Sequence, residues 1–260
     1  MRVVVCIKQV PDTTEIKIDP RTNTLKREGV KGIINPYDKN ALELALQLRE
    51  KHGGKVTVLS MGPPQAKEAL REAMAMGADE VILISDRAFG GSDTLATSYT
   101  LARAIERLQG FDLVLLGKQA IDGDTGQVGP GVAEHLGIGQ VTYARLVEVE
   151  GSRVKVHREG EGEVHLVEGE LPLLITVTEE INKPRYPSVR GMLRARKAEI
   201  PVWSAEDLGV DLNRIGLQGS PTQVKKVFTP PAGPGGEILE GAPEQVAAEL
   251  VEKLKEMRAI

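Results

Sequence analysis

"FDLVLLGKQAIDGDTGQVGPGVAEHLG", residues 111–137, passes from an apolar run through a glycine-rich loop into a helical pattern. "FDLVLLG" (111–117) reads as a strand, Gly123, Gly126, Gly129 and Gly131 punctuate the loop, and "VGPGVAEHLG" reads as the helix beyond it. In an open parallel sheet, ligands sit beyond the carboxyl ends of the strands, where the strand order reverses. A strand exit that feeds a helix N-terminus aims backbone N–H groups and the positive end of the helix dipole at an anion. The stretch therefore predicts a parallel α/β sheet with an anion cradle at the end of its fourth strand.

The preceding residues supply the rest of that sheet. "RVVVCIKQV" (2–10), "KVTVLSMG" (55–62) and "EVILIS" (80–85) are three earlier strands. Between them lie the helical patterns "KNALELALQLREKHGG" (39–54), "PPQAKEALREAMAMGA" (63–78) and "TLATSYTLARAIERLQG" (94–110). In the first, Leu42, Ala45, Leu46 and Arg49 recur on helical spacing. Near-continuous Val, Ile and Leu in the strands implies cover on both faces. Asp38 is expected to cap the first helix and Gly53 to end it, and Ser92 or Asp93 to cap the third. A charged, turn-rich excursion, "DPRTNTLKREGV" (19–30), follows the first strand.

From about residue 141 the texture changes. "VTYARLVEVEG", "SRVKVHREG" and "EVHLVEGE" alternate apolar and polar residues between glycine turns, the pattern of an antiparallel meander. "LPLLITVT" is a further buried strand that runs into a proline-broken loop, and "VRGMLRARKAEI" (189–200) is a short basic helix. "TPPAGPGGEILEGAP" (229–243) is too rich in proline and glycine for regular structure. A last helix, "PEQVAAELVEKLKEM", aligns Val246, Leu250 and Leu254 on one face. The expected organisation is a nucleotide-binding α/β domain over 1–205 and an arm over 206–260 whose helix docks either on a partner subunit or on its own domain.

Composition narrows the function. The chain has 260 residues, 41% hydrophobic and 27% charged, with formal net charge -4. That balance is ordinary for a globular protein and disfavours a general nucleic-acid binder, which needs a large cationic surface. The apolar start is too short for a membrane span. Cys6 is the single cysteine, so no internal disulfide forms and a cytoplasmic, reducing setting is expected. His52, His135, His157 and His165 lack metal-ligand spacing, although His157 and His165 could face each other across a hairpin. No metal site is expected.

The loop is no Walker A motif, because Gly117-Lys118 is followed by Gln119 and the upstream glycine position holds Asp112. Nor is it a Rossmann fingerprint, since Glu134 stands where the third glycine should be. Without the hydroxyl that binds magnesium, phosphoryl transfer has little to work with. The loop is expected to hold a ligand rather than consume it. Asp122 and Asp124 either accept ribose hydroxyls or stiffen the turn, and they suit one phosphate better than three. "GGSDT" (90–94) is similar to the pyrophosphate loop of ATP pyrophosphatases but follows the third strand rather than the first.

Several segments together resemble the electron transfer flavoprotein beta-subunit family: "INPYDKNALELAL", "AMAMGADEVILI", "DLVLLGKQAIDGDTGQVGPGVAEHLG", "LPLLITVTEEINKPRYPSVRGMLRARKAEI" and "DLGVD". The resemblance implies an open, mostly parallel sheet of the adenine-nucleotide-binding, Rossmann-like (HUP-like) type. It also implies a heterodimer with an alpha subunit that holds most of the FAD, and a structural AMP. Carried over by position, AMP contacts fall on Cys6, Asn35, Pro36, Tyr37, Asp38 and Met61. They continue through Ala120, Ile121, Asp122, Gly123, Asp124, Thr125, Gly126, Gln127, Val128, Gly129, Pro130 and Gly131. Tyr37 either packs near the flavin or staples the entry of the first helix.

The resemblance further implies a recognition loop over 184–197 for partner dehydrogenases. Val189 is its apolar anchor, with Met192 and Leu193 beside it; Pro184, Arg185, Tyr186, Arg190, Arg194, Arg196 and Lys197 complete it. Electrons are then expected to pass from acyl-CoA or other flavin dehydrogenases, as in fatty acid beta-oxidation, to a quinone reductase, with no catalytic residue in this chain. A stand-alone adenine-nucleotide sensor similar to universal stress proteins is the alternative, and it explains only the first 140 or so residues.

Overall fold

The computed structural model describes residues 1–12, 18–19, 24–25, 32–225 and 235–260. The excursion at 19–30 lies outside the described residues apart from short pieces of backbone, and so does the part of the proline-rich stretch at 229–234. In chain order the strands are β1 (Arg2–Cys6), β2 (Gln9–Pro11), β3 (Ile18–Asp19), β4 (Thr24–Leu25), β5 (Gly32–Ile34), β6 (Lys55–Met61), β7 (Glu80–Ile84), β8 (Leu113–Gly117), β9 (Gly139–Glu150), β10 (Arg153–Glu159), β11 (Val164–Glu170), β12 (Leu173–Val177) and β13 (Val202–Trp203). The helices are α1 (Pro36–His52), α2 (Lys67–Met76), α3 (Thr94–Arg107), α4 (Val128–Leu136), α5 (Val189–Lys197), α6 (Ala205–Leu208) and α7 (Pro243–Glu256).

The main sheet runs β11-β10-β9-β12-β8-β1-β6-β7-β13. Every pairing from β9 to β13 across it is parallel, and β9-β10-β11 form the antiparallel meander. The expected α/β class and meander are present. His157 pairs with Leu166 and His165 with Arg158, so the two histidines do not face each other.

Alternation along each strand divides the core. Val3, Val5, Val56, Val58, Leu113 and Leu115 point to one face, where they pack with residues of α1 and α2. Val4, Cys6, Leu59, Val114, Leu116 and Leu174 point to the other, with residues of α3 and α4. Period-two burial on both faces is why the strands read as unbroken apolar runs.

The chain forms two compact units, Met1–Lys225 and Lys226–Ile260. Residues beyond 205 complete the first unit, because Ala205, Leu208 and Ile215 are buried in its second core. The second unit contains α7, whose first residue is Pro243, where a missing N–H costs nothing. Within it the Lys253 ammonium pairs with Glu237 at 2.9 Å. No helix among the described residues is long and apolar enough to cross a membrane.

Candidate functional site

The chain leaves β1 for one flank of the sheet (β6, β7) and returns later to its other side (β8, β12), so the strand order reverses between β1 and β8. In such sheets a reversal of this kind is where a ligand crevice forms, here between the α1 connection and the loop into α4. Cys6, Gly117 and Met61 end three neighbouring parallel strands along its floor.

Asp38 ties the crevice together. It does not cap α1: the helix begins at Pro36 with Asn35 at the N-cap, and Asp38 lies inside its first turn. One carboxylate oxygen accepts the Lys8 N–H at 2.8 Å and the other accepts the Gly117 N–H at 3.0 Å. Burial pushes this carboxyl up to about 7, against hydrogen bonds from Lys8, Asn35 and Gly117 that favour its charged form. Asn35 makes no capping bond; its Nδ2 donates to Gln119 O at 2.8 Å and its Oδ1 accepts Ile121 N–H at 3.1 Å. Asn35 thus serves the loop after β8, and Asp38 the exits of β1 and β8, rather than their own helix.

The loop aspartates are engaged by side chains. Asp122 pairs with the Lys8 ammonium at 2.6 Å, and Asp124, held at φ 56°, accepts from the Gln119 amide. The Gln127 side chain accepts the Thr94 hydroxyl at 2.9 Å, joining the end of the loop to the start of α3. Lys118 places its ammonium 4.9 Å from the centre of the half-buried Tyr37 ring, a cation–π contact. Tyr37 is therefore held by a charge beside the exit of β8.

The glycines divide by role. A Cβ on Gly129 would collide with Thr176 Cγ2, and one on Gly131 would lie 2.6 Å from Ser98 Oγ. These two let α4 press against β12 and α3. Gly123 faces open space, and Gly126 takes φ 63°. Gln127, the N-cap of α4, supplies no capping bond, and Pro130 in the first turn has no N–H to satisfy.

Three residues that the sequence reading left out help to shape the site: Lys8, Lys118 and Tyr143. The two lysines follow strand exits at the reversal point, and that position was the available signal. Tyr143 had none. It adopts φ 59° where the β9–β12 register shifts, and its N–H donates to Thr176 Oγ1 at 3.1 Å. The bulge brings its hydroxyl to 3.5 Å from the Cβ position of Gly126.

Cys6 is buried, and burial, followed by the nearby Asp38 charge, pushes its thiol up to about 12. It is a core side chain, not a nucleophile. Asp93 caps α3 by accepting the Leu95 and Ala96 N–H groups, and Ser92 bonds Phe89 O and Gly216 N–H, so "GGSDT" is a capping turn.

The residues expected to form a recognition loop lie around α5, apart from these strand ends. Tyr186, Val189, Met192 and Leu193 are exposed. Arg190, Arg196 and Lys197 are exposed beside them. Arg185 and Arg194 are engaged internally: Arg185 bonds Glu43 and Glu50, and Arg194 donates to Met74 O and Ala78 O. Pro184 is half-buried where the chain approaches this segment.

A family described as electron transfer flavoprotein domain matches residues 22–208. The chain is 55% identical over 256 residues to the electron transfer flavoprotein subunit beta of Clostridium acetobutylicum, covering 98% of each chain. It is 52% identical over 262 residues to caffeyl-CoA reductase-Etf complex subunit CarD of Acetobacterium woodii, covering all of both chains. It is 49% identical over 262 residues to protein FixA of Bradyrhizobium diazoefficiens, covering 98% of this chain and 91% of that one.

Proposed function

The chain belongs to the electron transfer flavoprotein family, and on that premise we propose that it is the beta subunit of a heterodimeric electron carrier with AMP held in the crevice between β1 and β8. The family's role is electron transfer. The alpha partner, the FAD it mostly holds, and the AMP are the finer parts of the proposal.

The observation that carries the AMP assignment is the joint at Asp38, which fastens the α1 entry and both strand exits around one crevice. The residues present suit a monophosphate. Lys8 and Lys118 supply positive charge, the first turn of α4 is open at its N-cap, and Gly123 leaves its space free. Asp122 and Asp124 are already engaged, which limits how much further negative charge the loop tolerates. Asp38 and Cys6 are committed to backbone hydrogen bonds and to the core, so neither is placed to act as base or nucleophile.

Tyr37 is the residue we place toward the flavin, its ring fixed by Lys118. When bound, the flavin supplies the electron chemistry; this chain supplies binding and orientation. The exposed apolar residues of α5, with Arg190, Arg196 and Lys197 beside them, suit a brief, electrostatically steered encounter with a flavin dehydrogenase. The Acetobacterium relative's name places it in a complex with a caffeyl-CoA reductase, which supports a partner that acts on CoA thioesters. Acyl-CoA dehydrogenases fit that class, with a quinone reductase as the acceptor. A single, unpaired cysteine suits the cytoplasm.

Purified with its alpha partner, the chain should give a yellow complex that an acyl-CoA dehydrogenase system reduces. A colourless, inert heterodimer would count against the proposal. The stand-alone sensor reading leaves α5 and the meander without a purpose, and an ATP-binding monomer without a flavoprotein partner would revive it.

A further inference from the structure

Two carboxylates are buried among the described residues, Asp38 and Glu43. Asp38 serves the crevice. Glu43, less than two helical turns along α1, faces a different task.

Its Oε2 accepts both the backbone N–H of Arg185 at 3.1 Å and the Nε of the same residue at 2.8 Å. Its Oε1 accepts Arg185 Nη2 at 3.0 Å and the Gln47 amide at 2.9 Å. Glu50 takes the outer edge of the guanidinium at 2.5 and 3.1 Å. Toward the start of α1, Asn40 and Asn182 exchange side-chain to backbone hydrogen bonds at 2.9 and 3.0 Å.

Asn40, Glu43, Gln47 and Glu50 are spaced three, four and three apart, which puts them in one stripe along the helix. The stripe meets the chain just before α5. Arg185 is the last residue it grips, and the next, Tyr186, is 93% exposed. Beyond it α2 holds the far end: Ser188 N–H donates to Ala75 O, and Arg71 donates to Ala195 O and Ala198 O.

We propose that Glu43 is a positioning residue, which through its fork with the Arg185 side chain and backbone fixes the entry to the docking segment so that Tyr186, Val189 and Leu193 meet the partner in one orientation. This rests on α5 being the docking surface. Burial alone would raise the Glu43 carboxyl, but hydrogen bonds from Arg185 and Gln47 hold it below the usual range. A charge so paired is retained on folding, and its two-pronged geometry fixes direction as well as distance. Glu50 is half exposed, and an exposed pair of that kind contributes little by itself.

The test uses the heterodimer with its alpha subunit and an acyl-CoA dehydrogenase as electron donor. Glu43→Gln should raise the KM for that donor roughly tenfold, as expected if one charge-assisted contact no longer orients the surface. The maximal rate, flavin content and nucleotide content should hold, and hydrogen exchange across 185–193 should rise. Arg185→Lys, which keeps the charge without the fork, should fall between Glu43→Gln and the wild type. If Glu43→Gln lowers thermal stability but leaves both KM and exchange at wild-type values, the positioning role is wrong. If Val189→Ala and Leu193→Ala leave KM unchanged, the docking assignment itself fails. Should Glu43→Gln not fold, Arg185→Lys decides by the same two readouts, and wild-type values in both would overturn the proposal.

Discussion

Asp38 reaches from the first turn of α1 to accept the backbone N–H of Gly117 at the end of β8, 3.0 Å away. With its other oxygen on Lys8 N–H, one side chain joins a helix to two strand exits at the point where the strand order reverses. A Cβ on Gly117 would lie 2.6 Å from the same carboxylate and 2.5 Å from Tyr37 Cβ, so no larger residue leaves room for it.

Asp38→Asn should cost about 1–3 kcal/mol of stability, because an amide offers one acceptor where two N–H groups need one each. The pH dependence has a fixed sign. An unfolded aspartate ionises near 3.8 and this one near 7, so between those values the folded chain binds the extra proton. The wild type should therefore lose stability relative to Asp38→Asn as pH rises from about 4 to about 7, and the difference should level off above that. Denaturant midpoints of both proteins across this range would measure it.

Gly129→Ala and Gly123→Ala should separate packing from loop freedom. The first drives a methyl into Thr176 and should cost about 1–3 kcal/mol by overpacking. The second enters open space and should stay within about 0.5 kcal/mol of wild type. Thermal unfolding of the two variants checks the contrast.

Cys6 should resist alkylation in the folded protein and react once it unfolds, since its thiol is pushed up to about 12 and is buried. Timed labelling at pH 8, with and without denaturant, gives the answer. Fast labelling in native buffer would show that the β1 end is open.

Arg194 and Arg196 should differ despite lying on the same basic helix. Arg194→Ala removes donors to two carbonyls, Met74 O and Ala78 O, and should cost about 1–3 kcal/mol of stability. Arg196→Ala should leave stability near wild type and instead slow association with the donor at low salt. Unfolding and stopped-flow rates would separate the two effects.

Much of this was legible in residue order. The stretch 111–137 reads as strand, loop and helix because apolar run, glycines and helical period succeed one another without overlap, and β8 and α4 follow. The roles of particular residues were harder to see. Asp38 looks like a cap from its place before an apolar helix, but Pro36 can start the helix earlier, and its partners Lys8 and Gly117 are remote in sequence. Gly129 and Gly131 resemble ligand glycines because the contacts that require them come from β12 and α3. The stripe from Asn40 to Glu50 has a readable period, yet only the folded loop after β12 shows what it receives. Tyr143 depends on a bulge that no turn residue announces.

The most direct measurement is the mass of whatever nucleotide is released when the purified heterodimer is denatured. The account predicts AMP at one equivalent per beta chain, in addition to FAD, with retention weakened in Asp38→Asn. Release of no adenylate, or of a nucleotide that the native complex hydrolyses, would contradict it.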